Sequence, residues 1–311
     1  MTRRPILDMT LHGEPAETPE KGERIAKVIA RAGICSRREA ERLIAEGRVA
    51  VDGQRLDSPA VNVTATQRIT IDGEALPAPA PPRLWRYHKP AGLITSARDP
   101  QGRPTVFASL PPELGRLLSV GRLDLNSEGL LLVTNDGALK RRLELPASGW
   151  IRRYRVRVHG RPEPQKLAGL AQGVRVAGVD YGPIRAELER QTASNAWLKM
   201  ALTEGKNREV RKVLEHLGLA VNRLIRVAYG PFQLGRLARG ALEEVPAKVL
   251  AEQLGLSGGG RKIGTAKAKP KPRRPGGKRP GGKKPGAGKA QRARDGAGRT
   301  GAKNAHRRRP S

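Results

Sequence analysis

The sequence has 311 residues, and its 60 Lys and Arg outnumber its 29 Asp and Glu, which gives a net charge of +31. The length predicts about two domains, and the charge predicts a polyanionic partner such as nucleic acid. A single cysteine, Cys35, excludes an internal disulfide framework and a multi-cysteine zinc site. No apolar run approaches the ~18 residues of a membrane span, and the N-terminus lacks the apolar segment of a secretory signal. We therefore expect a cytoplasmic protein that does not enter a membrane.

The positive charge is distributed unevenly along the chain. Residues 257–311 hold 19 Lys and Arg and one acid, in a Gly- and Pro-rich composition without aromatic residues. Such a segment cannot bury enough apolar surface to fold, so we predict a disordered tail there and a disordered leader over residues 1–21. The tail is either an RNA-binding arm without sequence preference or a solubilising segment. A Pro-rich linker over residues 76–82 separates two predicted domains, 22–75 and 83–256.

The first predicted domain consists of two short helices followed by a small sheet. Apolar residues at helical spacing predict a helix over residues 23–32. Ser36 and Glu39 have the spacing of a capping box, which predicts that a second helix begins there. Val49–Val51 and Ile69–Ile71 are each followed by Asp-Gly, and this pattern predicts strands that end in tight turns.

Basic residues occupy positions outside the apolar face of these two helices. The segment ERIAKVIARAGICSRREAERLIAEGRVAVDG resembles the S4 RNA-binding domain, whose helices present basic residues to structured RNA. An ordinary solvated helix face is the alternative interpretation of the same charges. The candidate RNA-binding residues are Arg24, Lys27, Arg37, Arg38, Arg42 and Arg48. Cys35 has no His partner in this motif, so we expect a packed side chain and not a nucleophile.

The second predicted domain contains two side chains that suit either structure or chemistry. The segment GRLDLNSEGLLLVTNDG predicts a polar turn, a buried strand and a second turn. Asp124 lies in the first turn beside Arg122, and it is either part of a structural ion pair or an acid of a functional site. Tyr154 lies on an alternating strand with four Arg, where its ring either packs in the core or stacks on a base. A further strand over Asn195–Leu202 precedes a helix that begins near Lys206.

Five segments in order resemble the bacterial ribosomal RNA pseudouridine synthase family, of the type with an N-terminal S4 domain. They are YHKPAGLITSARDPQGRPTV, GRLDLNSEGLLLVTNDG, RRYRVRVHG, LTEGKNREVRKVLEHLG and NRLIRVAYGPFQLGRL. The resemblance implies an α+β chain, with an S4 domain followed by a mixed, mostly antiparallel sheet flanked by helices. It also implies that the protein isomerises uridine to pseudouridine in ribosomal RNA without a cofactor.

The resemblance implies a role for three residues. Asp124 acts on the target uridine, Tyr154 packs on the uracil and assists removal of the C5 proton, and Lys206 pairs with Asp124 and keeps it ionised. Whether Asp124 attacks carbon or removes a sugar proton stays open. The RNA-binding residues implied in this domain are Arg122, Arg208 and Arg211. No metal site is predicted, because the five His residues are dispersed and none has ligand spacing.

The likeness of the EGKNREVRK segment to large-subunit enzymes favours 23S ribosomal RNA, and 16S is the alternative. A non-catalytic S4-type ribosome-assembly factor is a rival from another class, although a pure binder has no need for Asp124, Tyr154 and Lys206 together. The expected partner is ribosomal RNA or a pre-ribosomal particle. No protein partner is implied, and we expect a monomer.

Overall fold

The computed structural model describes residues 22–255. The leader predicted over residues 1–21 and the basic tail predicted over residues 257–311 lie outside the described residues. Within the described part, no helix is long and apolar enough to cross a membrane.

The N-terminal part is built from two short helices and small antiparallel strands. The helices are α1 (Ile25–Arg31) and α2 (Arg37–Ala45). The strands are β1 (Glu23–Arg24), β2 (Val49–Val51), β3 (Gln54–Arg55), β4 (Asn62–Val63), β5 (Ile69–Ile71) and β6 (Glu74–Ala75). One sheet has the order β3-β2-β5-β6, and β1 pairs with β4. Apart from β1, this confirms the predicted order of two helices followed by a small sheet.

Helix α2 is fixed at its start by a side-chain cap and along its length by packing. The Ser36 hydroxyl accepts a hydrogen bond from the Glu39 backbone N–H at 3.1 Å, which satisfies one free donor of the first turn. The Glu39 carboxylate pairs with Arg42, so among the described residues only the serine half of the predicted capping box is formed. Ile44 and Ile25 are fully buried where the two helices pack, and each such side chain contributes about 1.5–3 kcal/mol.

The larger part is built on a nine-stranded mixed sheet with helices against it. Its strands are β7 (Leu84–Lys89), β8 (Leu118–Val120), β9 (Ser127–Thr134), β10 (Arg152–His159), β13 (Ile184–Gln191), β14 (Asn195–Leu202), β15 (Ala220–Tyr229), β16 (Phe232–Gln233) and β17 (Leu242–Glu244). A separate hairpin is formed by β11 (Val174–Val176) and β12 (Val179–Tyr181). The helices are α3 (Gly137–Glu144), α4 (Pro164–Gly169), α5 (Glu209–His216) and α6 (Ala247–Gln253). The main path of the sheet is β13-β14-β10-β15-β9-β7-β17, in which β9 and β15 are the parallel neighbours. The predicted mixed, mostly antiparallel sheet is confirmed.

Strand β9 is the most deeply buried strand of the sheet. All eight of its residues are buried, and residues 130–133 have no exposed surface. Both of its faces are covered by apolar clusters, which explains why its sequence is a continuous apolar run without alternation. The turn before β9 carries Asp124 and is therefore attached to a rigid element.

A glycine lets β9 and β15 approach each other closely. Gly129 has a φ of +102°, and a Cβ atom at this position would overlap the backbone carbonyl oxygen of Arg226. Glycine is the residue that tolerates both this backbone conformation and this spacing. The close approach brings the start of β9 beside β15 and, through β15, near β10.

Helix α5 covers the face of the sheet that carries Tyr154. Val210 and Val213 of α5 are buried in the same apolar cluster as Val156 and Val158 of β10. Tyr154 lies on this face because it is two residues before Val156 on the same strand. The turn before β9, the start of β10 and the segment that leads into α5 therefore surround one cleft.

Candidate active site

The cleft has a volume of about 480 Å³, which lies within the range of small-ligand pockets. It lies between the turn over residues 121–124, the start of β10, the segment over residues 205–210 and β15. Asp124, Tyr154 and Lys206 all line it. The structure thus brings together the three predicted site residues, although they are far apart along the chain.

Asp124 presents an accessible carboxylate at this cleft. Its side chain keeps 33% of its accessible surface, and its backbone carbonyl accepts a hydrogen bond from the Ser127 N–H at 3.0 Å. Two other carboxylates line the cleft, and both are engaged: Glu144 accepts from the Gly121 N–H at 2.6 Å, and Glu209 accepts from a backbone N–H at 2.9 Å. Among the described residues, the Asp124 carboxylate accepts no hydrogen bond and is free to meet a substrate.

A buried lysine holds the turn that carries Asp124. Lys89, at the end of β7, has no exposed surface. Its ammonium group donates to four backbone carbonyls, those of Pro90 (3.0 Å), Asp124 (3.2 Å), Leu125 (3.3 Å) and Ser127 (2.9 Å). Burial lowers the pKa of Lys89 to about 8, while the charge of Asp124 acts in the opposite direction. The Lys-Pro pair that the sequence presents as the end of a strand is therefore an anchor for the Asp124 turn.

Two arginines, and not a lysine, face the Asp124 carboxylate. The Arg208 Nη1 atom lies 3.8 Å from Asp124 Oδ2, and the Arg211 Nε atom lies 4.0 Å from the same oxygen. Arg211 is only 7% exposed, and its guanidinium also donates to the carbonyls of Val221 and Asn126. Burial lowers the pKa of Arg211.

One prediction made from the sequence needs correction at this point. Lys206 does not pair with Asp124: its ammonium group bonds to Glu204 Oε2 at 2.8 Å and to the Asp180 carbonyl at 2.6 Å, and the bond to Glu204 raises the pKa of Lys206. Lys206 pairs with Glu204 because this acid lies only two residues away on the same loop. Arg211 is buried beside Asp124, and its contact with RNA stays a prediction.

The segment that leads into α5 is held in an unusual backbone conformation. Arg208 has a φ of +52°, which is rare for a residue with a side chain. The buried Glu209 accepts from the Lys206 N–H, and burial raises the pKa of Glu209. Arg152, at the start of β10, donates to the Thr203 carbonyl. These contacts fix the backbone that directs Arg208 toward the Asp124 carboxylate.

Tyr154 forms part of the wall of the cleft. It is half-buried and packs against two apolar clusters of the larger part. Its strand neighbours are Met200 on β14 and Arg226 on β15. The ring therefore combines packing on one side with access to the cleft, which leaves it able to stack on an unpaired base.

Several buried polar atoms of the cleft have no partner in the described part of the chain. They are Ser127 Oγ, Glu209 Oε1, Arg211 Nε and Arg226 Nη2. Three of these residues line the cleft directly, and Arg211 lies against Asp124. Buried polar groups without partners are uncommon in folded proteins, and these line or adjoin the cleft beside Asp124. Ser127 and Arg226 were not predicted from the sequence, because each lies within a strand among apolar residues.

The other candidate RNA-binding residues lie on the surface. Arg122 is exposed and lines the cleft. In the N-terminal part Arg24, Arg37 and Arg38 are exposed and form no ion pair among residues 22–255. The remaining three are ion-paired, Lys27 with Glu23, Arg42 with Glu39 and Glu46, and Arg48 with Glu46 and Asp72. Their contact with RNA stays a prediction.

The residues considered for other chemistry do not form a second centre in the described part. Cys35 is half-buried and packs against the core of α1 and α2, and burial raises the pKa of its thiol. No group of His, Cys, Asp and Glu in residues 22–255 has the arrangement of a metal site.

Comparison with known proteins identifies two families in the chain. Residues 23–69 match the S4 domain, and residues 83–216 match the family described as RNA pseudouridylate synthase. An uncharacterised RNA pseudouridine synthase of Rickettsia prowazekii is 47% identical over 231 residues, which cover 74% of this chain and 97% of the relative. The ribosomal large subunit pseudouridine synthase B of Yersinia pestis is 42% identical, over 73% of this chain and 74% of the relative.

A solved structure agrees with these sequence matches. A crystal structure of a pseudouridylate synthase superposes with a TM-score of 0.53 at 27% identity, over 75% of this chain and 99% of that one. The match therefore extends over almost the whole of that protein. The chain belongs to the RNA pseudouridylate synthase family and is an enzyme that isomerises uridine in RNA.

Proposed function

We propose that this enzyme converts a specific uridine of 23S ribosomal RNA to pseudouridine, with Asp124 as the catalytic carboxylate and without a cofactor. The observation that carries the choice of Asp124 is its state in the cleft: two guanidinium groups face it, and no described residue donates a hydrogen bond to it. The choice of 23S is supported by the name of the Yersinia pestis relative, a large-subunit enzyme. On such a substrate the protein would act in the cytoplasm as a monomer, on ribosomal RNA or a pre-ribosomal particle.

The reaction requires that the target base leave its stack. It breaks the bond between N1 of uracil and C1′ of ribose, turns the uracil, and joins C5 to C1′, after which the C5 proton is removed. Extrusion of the base costs a few kcal/mol, and stacking on an aromatic ring returns about 1–3 kcal/mol. Tyr154 is placed to provide that ring, and its hydroxyl is our candidate for assisting removal of the C5 proton. Arg122, exposed at the cleft, is our candidate for the space that the nucleotide leaves.

Asp124 acts in this scheme as an ionised carboxylate. It either attacks C1′ or removes a sugar proton to start the alternative route, and both require the same position in the cleft. Arg208 and Arg211 face this carboxylate and place positive charge beside it. The anchoring of the Asp124 backbone by Lys89 keeps the carboxylate aligned, and alignment of reacting groups accounts for a large share of enzymatic rate.

The decisive experiment maps pseudouridine in ribosomal RNA with and without the gene. We expect one 23S position to lose its pseudouridine on deletion. Expression of the wild-type chain should restore it. Asp57→Asn, a matched control at an exposed acid of the N-terminal part, should restore it as well. Asp124→Asn should bind RNA within several-fold of the wild type and should restore nothing.

Each alternative has its own outcome in this experiment. Loss at a 16S position would assign the enzyme to the small subunit. Restoration by Asp124→Asn would show that another group carries the chemistry. A complete absence of gene-dependent pseudouridine in ribosomal RNA would move the substrate to another RNA.

A further inference from the structure

Where β10, β13 and β14 form it, the sheet face opposite to the cleft is exposed and strongly cationic. Side chains alternate between the two faces of a strand, so Tyr154 and Val156 point to the covered face of β10. Arg153, Arg155 and Arg157 point to the other face and are exposed to solvent. Alternate residues of a strand are about 6.6–6.8 Å apart, so these three guanidinium groups form a row along the central strand.

Neighbouring strands extend this row on both sides. The strand registers place five more side chains beside it on the same face, namely Trp197 and Lys199 of β14, Arg185 and Arg190 of β13, and Arg223 of β15. This surface, the arginine face, is defined by its seven cations: Arg153, Arg155, Arg157, Arg185, Arg190, Lys199 and Arg223. The carboxylates that pair with them are Glu128, Glu187 and Glu189. Seven cations against three carboxylates leave a net positive surface.

Like charges lie directly opposite each other on the arginine face. Arg155 is the cross-strand partner of Lys199, and Arg157 is the cross-strand partner of Arg223. Directly opposed like charges destabilise a sheet. Arg155 and Lys199 share one acid, Glu189, at 2.6 Å and 3.6 Å. An arrangement selected for stability alone would alternate the signs of the charges.

Several groups on the arginine face are available to a ligand. Arg153, Arg157 and Arg190 form no ion pair and no side-chain hydrogen bond within residues 22–255. Trp197 is half-exposed, and the Arg155 guanidinium lies over its ring at 4.2 Å from the centroid. Unpaired guanidinium groups bind phosphate through paired N–H donors.

We propose that the arginine face binds the phosphate backbone of an RNA segment outside the target loop. The enzyme acts on RNA in the cleft, and the remainder of a structured RNA substrate supplies phosphates over distances longer than one domain. The unpaired guanidinium groups of Arg153 and Arg157 on β10 and of Arg190 on β13 complement such a chain of negative charges. The proposal rests on RNA as the substrate and is independent of the choice between ribosomal subunits.

The test compares two variants of equal charge. The variant of the arginine face carries Arg153→Gln, Arg157→Gln and Arg190→Gln. The control removes the same charge from exposed positions of α3, α4 and α6, with Arg141→Gln, Lys166→Gln and Lys248→Gln. Binding of each full-length protein is measured across salt concentrations with two RNAs: a short hairpin that contains the mapped uridine, and the same hairpin extended by a long duplex.

We expect the variant of the arginine face to lose part of its salt dependence on the extended RNA. Three lost phosphate contacts, at about 0.7–0.9 each, reduce the slope of log Kd against log salt by about 2 to 3. The control should keep the wild-type slope, and the short hairpin should be bound and modified as by the wild type. Melting temperature is measured in parallel, and it should stay the same or rise because like charges are removed.

Three results would overturn the proposal. The first is a wild-type slope of log Kd against log salt for the variant of the arginine face on the extended RNA. The second is that this variant loses as much of its slope on the short hairpin as on the extended RNA. The third is that the control variant loses as much of its slope as the variant of the arginine face. An acidic protein as the natural ligand of this surface would give the first of these results. Pseudouridine mapping tests the proposed function and the salt slope tests the arginine face, so either can fail without the other.

Discussion

The most informative single substitution is Lys89→Met, because Lys89 contacts the Asp124 turn without lining the cleft. Its ammonium group binds four backbone carbonyls. Two of these keep a second donor after the substitution: the Asp124 carbonyl retains the Ser127 N–H, and the Leu125 carbonyl retains the Gly92 N–H. The carbonyls of Pro90 and Ser127 lose the charged donor without such a replacement, at about 1.5–3 kcal/mol each.

The buried methionine returns part of this loss. Its side chain contributes about 1.5–3 kcal/mol of apolar burial, so we expect Lys89→Met to lower the free energy of unfolding by about 1.5–3 kcal/mol. For a chain of this size the melting temperature falls by about 2–4 °C for each kcal/mol. We also expect kcat to fall about 10–100-fold, because a small displacement of the Asp124 carboxylate misaligns it with the ribose.

Urea unfolding and single-turnover pseudouridine formation measure the two effects separately. Activity is compared at a temperature where both proteins are folded, with Lys248→Met as the control at an exposed site. A wild-type kcat in folded Lys89→Met would refute the anchoring role. An unchanged free energy of unfolding would show that the hydrogen bonds of Lys89 do not stabilise the fold.

The pH dependence of stability tests the burial of Lys89 independently. Its pKa is about 8 in the folded state and near 10.5 when exposed. Between these two values the unfolded chain binds more protons than the folded one, so the contribution of Lys89 to stability rises as pH rises from about 8. The difference in unfolding free energy between the wild type and Lys89→Met should therefore widen from pH 7 to pH 10. A constant difference would show that the ammonium group is well solvated.

Two further predictions concern the cleft. Gly129→Ala should destabilise the fold by more than about 3 kcal/mol, because the added Cβ overlaps the Arg226 carbonyl and the φ of +102° disfavours a side chain; a small change in urea midpoint would contradict the close strand approach. Arg208→Gln should lower kcat more than Lys206→Gln, because Arg208 faces Asp124 and Lys206 does not. Single-turnover rates decide between them, and a larger effect at Lys206 would restore the pairing that the sequence predicted.

The sequence was informative where a local pattern determines the structure. The continuous apolar run of residues 130–133 predicts a strand covered on both faces, and β9 is such a strand. Ser36 and Glu39 predict the start of α2, and the cap forms there. The location of Asp124 was also predictable, since a polar turn before a buried strand places its side chains at the edge of the sheet.

The ion-pair partner of Asp124 could not be predicted in the same way. Lys206 and Arg211 lie five residues apart, at the start of one helical segment, and both offer a positive charge. The choice between them depends on the left-handed φ of Arg208 and on the local attraction of Lys206 to Glu204. Such backbone geometry is fixed by tertiary contacts, which a sequence pattern does not encode.

The departures from favourable local structure occur at the places where RNA is proposed to bind. The left-handed backbone of Arg208 costs about 1–3 kcal/mol, and each buried polar atom of the cleft without a partner costs about 1–3 kcal/mol. On the arginine face, the opposition of Arg155 to Lys199 costs a smaller amount. These costs are large against a total stability of about 5–15 kcal/mol. Selection for folding alone would therefore replace the residues that cause them. Bound RNA would change this balance, because its phosphate, ribose and uracil groups supply hydrogen-bond acceptors and donors to these side chains. The same explanation then applies to the cleft and to the arginine face.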